Sequence, residues 1–146
     1  MIQTQTFQAQ NLPQPEVKQQ IVDFLYTHLE QYGDTKSAIS KAIDYSLGLN
    51  NAPGGFTMLL SDNRILKGVV VINQTGMAGY IPENILVYIA THQDYRGEGL
   101  GKKLMEKVIA ETHGDIALHV EANNPAKKLY EKFGFTNPYL EMRLKK

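Results

Sequence analysis

Arg96-Gly97-Glu98-Gly99-Leu100-Gly101 lies between an apolar run, Asn84 to Thr91, and an amphipathic one that begins at Leu100. Glycine has no Cβ, so a chain bent at Gly97, Gly99 and Gly101 can bring its backbone N–H groups close to an anion. At the start of a helix those donors are unpaired and the helix dipole adds positive potential. The stretch has the chemistry of a phosphate cradle, and its ligand is expected to carry a pyrophosphate. A tight strand-to-helix turn alone needs one glycine, and here three fall within five residues.

Spacing separates the known phosphate loops. The P-loop needs a glycine five positions before its final Gly-Lys and a Ser or Thr after it, but Arg96 and Lys103 stand there. The dinucleotide pattern G-x-G-x-x-G needs a glycine where the chain has Lys102, and it normally opens a long βαβ array. What remains is Arg-x-x-Gly-x-Gly (Arg96, Gly99, Gly101), which resembles the acyl-CoA pyrophosphate loop of the GNAT N-acetyltransferase superfamily. Downstream, the segment from Asn123-Asn124-Pro125-Ala126 through Leu129-Tyr130 to Gly134-Phe135 resembles the second motif of that family, N-x-x-A-x-x-L-Y followed by G-F. Together the two motifs cover about positions 84 to 135.

The resemblance implies roles for named residues. Backbone groups of Gly97, Glu98, Gly99, Leu100, Gly101 and Lys102 would hold the pyrophosphate of acetyl-CoA, with Arg96 at the family's Gln/Arg position. Lys102 and Lys103 head the helix, where they are either solvated surface or neighbours of the nucleotide's 3′-phosphate. The pantetheine arm would run beside Ile89 and Thr91, extending the sheet as an added strand does. Asn123 matches the motif asparagine that contacts this arm, although Asn-Asn-Pro is also a good helix start. Tyr130, which would read as a core stripe residue by spacing alone, is implied to be the general acid that protonates the departing thiolate. An attacking amine must be neutral, so a base or water chain has to take its proton. Many family members place a carboxylate inside the central strand; here that strand reads Asn84-Ile85-Leu86-Val87-Tyr88, leaving Glu83 at its head as the candidate base. Glu121 and His119 share a face of the next strand and form a second candidate relay.

These residues need a scaffold. Apolar positions Val17, Ile21, Phe24, Leu25 and Leu29 recur at helical spacing, and Ala38, Ile39, Ala42, Ile43 and Leu47 form a second stripe, with Asp34 as its cap and Gly48 as its stop. Phe56–Leu60 and Ile65–Ile72 are β-rich runs on either side of a turn at residues 61–64 and are expected to pair antiparallel. The strand at 83–91 is nearly continuously apolar and should be central. A helix over 100–112, with Leu100, Leu104, Val108 and Ile109 inward, leads to a parallel strand at 115–121. Pro125 opens a last helix capped by Asn124, and Phe135 and Tyr139 to Leu144 are expected to supply closing strands. The fold class is α/β: one GNAT-like domain over residues 1–146, its mixed sheet flanked by helices and its parallel central strands splayed, as the resemblance implies.

With 146 residues the chain suits one domain of ordinary size. It contains no cysteine, which excludes disulfides, thiolate-ligated zinc and an acyl-cysteine intermediate, so transfer would be direct. Fifteen basic and fifteen acidic residues cancel, which argues against a nucleic-acid partner held by a broad basic field. The histidines, at 28, 92, 113 and 119, fall at spacings that suggest no metal site. No apolar run reaches a membrane span and the start lacks signal-peptide character, so a cytoplasmic location is expected, and a homodimer is compatible with the resemblance. Two further classes stay open beside transfer to a small-molecule amine: a catalytically silent CoA-binding module, and an enzyme that acetylates peptides or proteins.

Overall fold

Residues 1–10 read as a polar start, yet in the computed structural model, which describes residues 1–146, Ile2–Phe7 form a strand, β1. It is an edge strand whose side chains are exposed from Ile2 to Gln5, with Phe7 alone buried. The alternation that announces a half-buried strand is therefore missing from its sequence. Helix α1 (Pro15–His28) follows, with Pro15 in its first turn, where a missing N–H costs nothing. After a short 3-10 turn at Glu30–Tyr32 comes α2 (Lys36–Ser46). Its cap is Thr35 rather than Asp34: the Ala38 N–H donates to Thr35 Oγ1 at 3.2 Å. Gly48, at φ 71°, ends the helix in the left-handed region, as expected.

Strands β2 (Gly55–Asp62) and β3 (Ile65–Gln74) form the expected hairpin, closed by Asn63 and Arg64 at φ 51° and 67°. Positive φ at both central residues gives a turn whose twist matches the strands. β4 (Asn84–Thr91) pairs antiparallel with β3, and α3 (Leu100–Glu111) crosses over to β5 (Ile116–Leu118), which pairs with β4 in parallel. The sheet order is β1-β2-β3-β4-β5, and α4 (Lys127–Lys132) is the last regular element.

Alternation along the strands divides the core into two layers. On one face Ile21, Leu25, Ile39 and Ile43 of α1 and α2 meet Leu59, Val69, Val71 and Tyr88. On the other, Leu104, Met105 and Val108 of α3 and Tyr130 of α4 meet Met58, Val70, Ile72 and Leu86. Each of these large apolar side chains contributes about 1.5–3 kcal/mol by leaving water. Two inward positions differ from the expected stripes. Met105 takes the place of Ile109, which is left exposed, and Ala38 also faces solvent. The expected closing strands are not formed: no strand follows Leu118, and Tyr139, Leu140, Met142 and Leu144 are exposed. β5 offers a template of only three residues, too short to order a further strand along it.

Candidate active site

The two parallel strands separate early. β4 and β5 are paired only at Asn84–Ile116, Ile85–Ala117 and Leu86–Leu118. Just there β4 also shifts register against β3, between Val71 and Ile72, leaving Val87 as an extra residue in the ladder. A bulge of this kind bends and twists its strand. From Val87 to Thr91 the β4 edge that faces away from β3 has no strand beside it, and Ile89 and Thr91 lie on this open limb. The open limb runs to Thr91 at the C-terminal end of β4, from which a 3-10 turn at Gln93–Tyr95 leads into the glycine loop.

In that loop no backbone N–H from Gly97 to Lys102 has a hydrogen-bond acceptor within the chain; the first helical bond runs from Lys103 N–H to the Gly99 carbonyl. These donors gather at the N-terminus of α3, where the dipole favours an anion. The three glycines serve different ends. Gly97 and Gly99 sit at φ 88° and 78°, and a Cβ on either would meet nothing within 4 Å, so backbone conformation and not packing demands glycine there. Gly101 is ordinary helix, and a Cβ on it would come within 3.2 Å of Leu129 Cδ2. It lets α4 approach α3, a packing role that glycine spacing alone did not distinguish. Glu98, Lys102 and Lys103 are exposed around the loop.

Arg96 is turned away from the cradle. Its guanidinium donates to Glu30 Oε1 at 2.8 Å, to the His28 carbonyl at 2.7 Å and to the Thr91 carbonyl at 3.4 Å. It thereby ties the loop to the C-terminal end of α1, where a cation also complements the dipole. Nearby, the His28 and His92 rings lie 4.2 Å apart, and the Gln93 N–H donates to His28 Nδ1. Burial first, then the charges of His92 and Arg96, hold the His28 imidazole below its ordinary value.

The second motif lies across the gap. Tyr130 is buried on the α3 face with its ring edge-on to Phe135 at 5.9 Å, and burial pushes its phenol up to about 12. The last helix starts two residues later than expected, at Lys127 with Ala126 at its N-cap position and no side-chain cap, so Asn124 does not cap it; its Oδ1 accepts from the Ala126 N–H at 2.9 Å in the turn that leads in. Asn123 is exposed, and its carbonyl accepts from the Tyr32 hydroxyl at 3.3 Å. Glu83 is not brought to these residues. It precedes the N-terminal end of β4, its Oε1 accepting from the Asp115 N–H at 3.4 Å, with the length of the strand between it and the glycine loop. Glu121 and His119 are exposed on the segment after β5.

Strands parting at a bulge, a ring of free N–H donors at a helix start and a tyrosine on the opposite limb agree with the comparison of the sequence to known families. Residues 53–137, more than half of the chain, match the model described as acetyltransferase (GNAT) domain. The chain belongs to the GNAT acetyltransferase family. Over 57 residues this GNAT chain is 42% identical to the 5-NmdU N-acetyltransferase of Pseudomonas phage PaMx11, a stretch that covers 38% of the chain and 41% of that enzyme. It thus spans about two fifths of that relative's length. Among solved structures, the NatC complex bound to Gag peptide and CoA aligns with TM-score 0.70 at 23% identity, covering 92% of this chain and 84% of that one. The ribosomal-protein-S18-alanine N-acetyltransferase from Escherichia coli aligns with TM-score 0.69 at 16% identity, covering 95% and 80%. Identities this low establish a shared fold.

In this GNAT chain one pair escaped the sequence reading. The Tyr88 hydroxyl, midway along β4, donates to Asp34 Oδ2 at 2.6 Å across 54 residues of sequence. No local pattern marks such a pair. The GNAT chain places no group of three or more His, Asp or Glu where they could hold a metal ion, and no helix is long and apolar enough to cross a membrane.

Proposed function

We propose that this GNAT chain is an N-acetyltransferase that moves the acetyl group of acetyl-CoA directly to a primary amine, both substrates being bound together. The observation that carries the reading is the run of unpartnered N–H donors from Gly97 to Lys102 at the open end of the β4–β5 gap. Such donors suit a pyrophosphate, and the gap behind them suits a pantetheine arm running past Thr91 and Ile89. Asn123, on the segment after β5, is in this reading a side-chain contact to the arm. Arg96 contributes by holding the loop in place, since its donors are engaged by Glu30 and the His28 carbonyl.

In the reaction the amine lone pair attacks the thioester carbonyl carbon. A C–N bond forms, the C–S bond breaks with its electron pair going to sulfur, and the amine's surplus proton leaves toward water. Tyr130 is the group offered to the sulfur. A phenol raised to about 12 stays protonated at neutral pH, but it lies about 3 units above an ordinary thiol. Full proton transfer to a thiolate is then uphill, so the hydroxyl stabilises the leaving sulfur chiefly as a hydrogen-bond donor. Glu83, beyond the N-terminal end of β4, takes no part in this account.

A second reading, a CoA-binding module without catalysis, draws on the absence of a carboxylate within β4. A third, acetylation of a peptide or protein N-terminus, draws on the names of two fold neighbours. One experiment separates the three: thiol release from acetyl-CoA measured against a panel of small amines and short peptides. Turnover with small amines supports the proposal and turnover with peptides alone selects the third reading, whereas CoA binding without turnover selects the second.

A further inference from the structure

Asp34 lies in the connection between α1 and α2. It follows the 3-10 turn that spans the mouth of the gap: Glu30 of that turn is paired with Arg96 on the glycine loop, and Tyr32 donates to the Asn123 carbonyl on the opposite limb. Thr35 caps α2, so the Asp34 carboxylate is not used as a helix cap. It is exposed, forms no ion pair with any Lys, Arg or His, and accepts one hydrogen bond, from the Tyr88 hydroxyl at 2.6 Å. Tyr88 itself is 8% exposed and two residues past Leu86, the last point at which β4 touches β5. That puts it about 7 Å beyond the vertex at strand spacing, on the α1–α2 face of the sheet, whereas Tyr130 lies on the α3 face.

We propose that Asp34, held by Tyr88, is the binding site for the acceptor's ammonium group, and that the acceptors are therefore cationic primary alkylamines. The proposal rests on the acetyl-transfer reading above and names the substrate class for it. A carboxylate with no protein cation attracts an ammonium by a charge-assisted hydrogen bond. A buried phenol that donates to it fixes its direction without neutralising it. The phenol keeps its proton because burial and the Asp34 bond both raise it from its ordinary value. From this position the amine sheds a proton to the solvent that reaches Asp34 and turns its lone pair toward the thioester, while Tyr130 approaches the sulfur from the other face. Asp34 is thus a substrate-binding residue and Tyr88 a positioning residue.

The test is an NMR titration of the protein in 1 mM CoA with n-butylammonium chloride, using sodium chloride at equal ionic strength as the control. The proposal expects a saturable shift of the Tyr88 ring resonances with butylammonium and none with sodium, an affinity at least tenfold weaker in Asp34→Asn, and an intermediate loss in Tyr88→Phe. No saturable shift in the wild type, or an unchanged affinity in Asp34→Asn, overturns it. Thiol release with acetyl-CoA in place of CoA then separates the two claims. Binding that depends on Asp34 without turnover upholds the ammonium site and contradicts acetyl transfer. Turnover whose amine KM is the same in Asp34→Asn contradicts the ammonium site and leaves acetyl transfer standing.

Discussion

The two strands that frame the gap are built to different standards. β4 is paired with β3 from Asn84 to Thr91, and every second residue along it is buried. β5 has three residues, all half-buried, is paired only with the base of β4 and forms the edge of the sheet. The limb that leads into the glycine loop is therefore preformed, and Arg96 pins that loop to α1. The other limb, which carries Asn123 and Tyr130, is held by the packing of α4 on α3 and by the Tyr32–Asn123 bond. The difference teaches that one limb is fixed by its neighbours while the other depends on few contacts, so that under the proposed function cofactor recognition falls to the better-supported limb and ligand binding holds the second limb in register.

The largest effect should come from damaging the rigid limb at Gly99. In Gly99→Val a β-branched residue is forced to φ 78°, a conformation such residues scarcely adopt. CoA affinity should fall about 100-fold, or about 2.7 kcal/mol, by isothermal titration, with circular dichroism unchanged because the new Cβ meets no neighbour within 4 Å. Wild-type affinity in a folded variant would show that the loop conformation is not what binds the ligand.

On the second limb, Tyr130→Phe keeps the buried ring and removes the donor. Turnover at saturating acetyl-CoA and amine should drop about tenfold, less than the 10²–10⁴ typical of a full general acid, because a phenol near 12 donates a hydrogen bond more readily than its proton. CoA affinity should hold. A turnover within twofold of wild type, with chemistry rate-limiting, would reduce Tyr130 to a core residue.

A smaller effect distinguishes anchoring from phosphate contact at Arg96. Both Arg96→Met and Glu30→Gln should weaken CoA binding a few-fold, and to a similar extent, since either breaks the 2.8 Å ion pair that ties the loop to the turn after α1. Were Arg96 to grip the phosphates, Glu30→Gln would leave affinity intact or improve it.

Part of this contrast was legible in the sequence and part was not, for a physical reason. The bend at Gly97 and Gly99, the hairpin turn and the Gly48 stop depend on backbone conformations that one or two local residues dictate, and all three stand where the spacing put them. β1 escaped because Gln3, Thr4 and Gln5 face solvent on an edge and need no apolar alternation. The apolar residues of 139–144 suggested a strand, but strand formation needs a partner edge, and β5 supplies three residues. At the site, the anchoring of Arg96 is invisible in the sequence because its partner Glu30 is 66 residues away. Asp34 and Thr35 both suit a helix cap by residue type, and only the fold decides that Thr35 serves. Contacts at that separation leave no periodic trace.

The smallest predicted effect is a pH dependence. The His28 imidazole, kept low chiefly by burial, takes up a proton more readily unfolded than folded. Its contribution is therefore fully present above its ordinary value near 6.5 and is lost as pH falls through the lower folded-state value. Between pH 7 and 5.5 the melting temperature of the wild type should decline more steeply than that of His28→Gln. Parallel declines would mean that the histidine stack does not sense protonation.

Amide hydrogen exchange with and without CoA tests the central assignment most directly. The account predicts that CoA slows exchange at Gly97–Lys102 and at Ile89–Thr91, slows it also around Asn123 on the less supported limb, and leaves β1 and β2 unchanged. Exchange at Gly97–Lys102 that is identical with and without saturating CoA would contradict it.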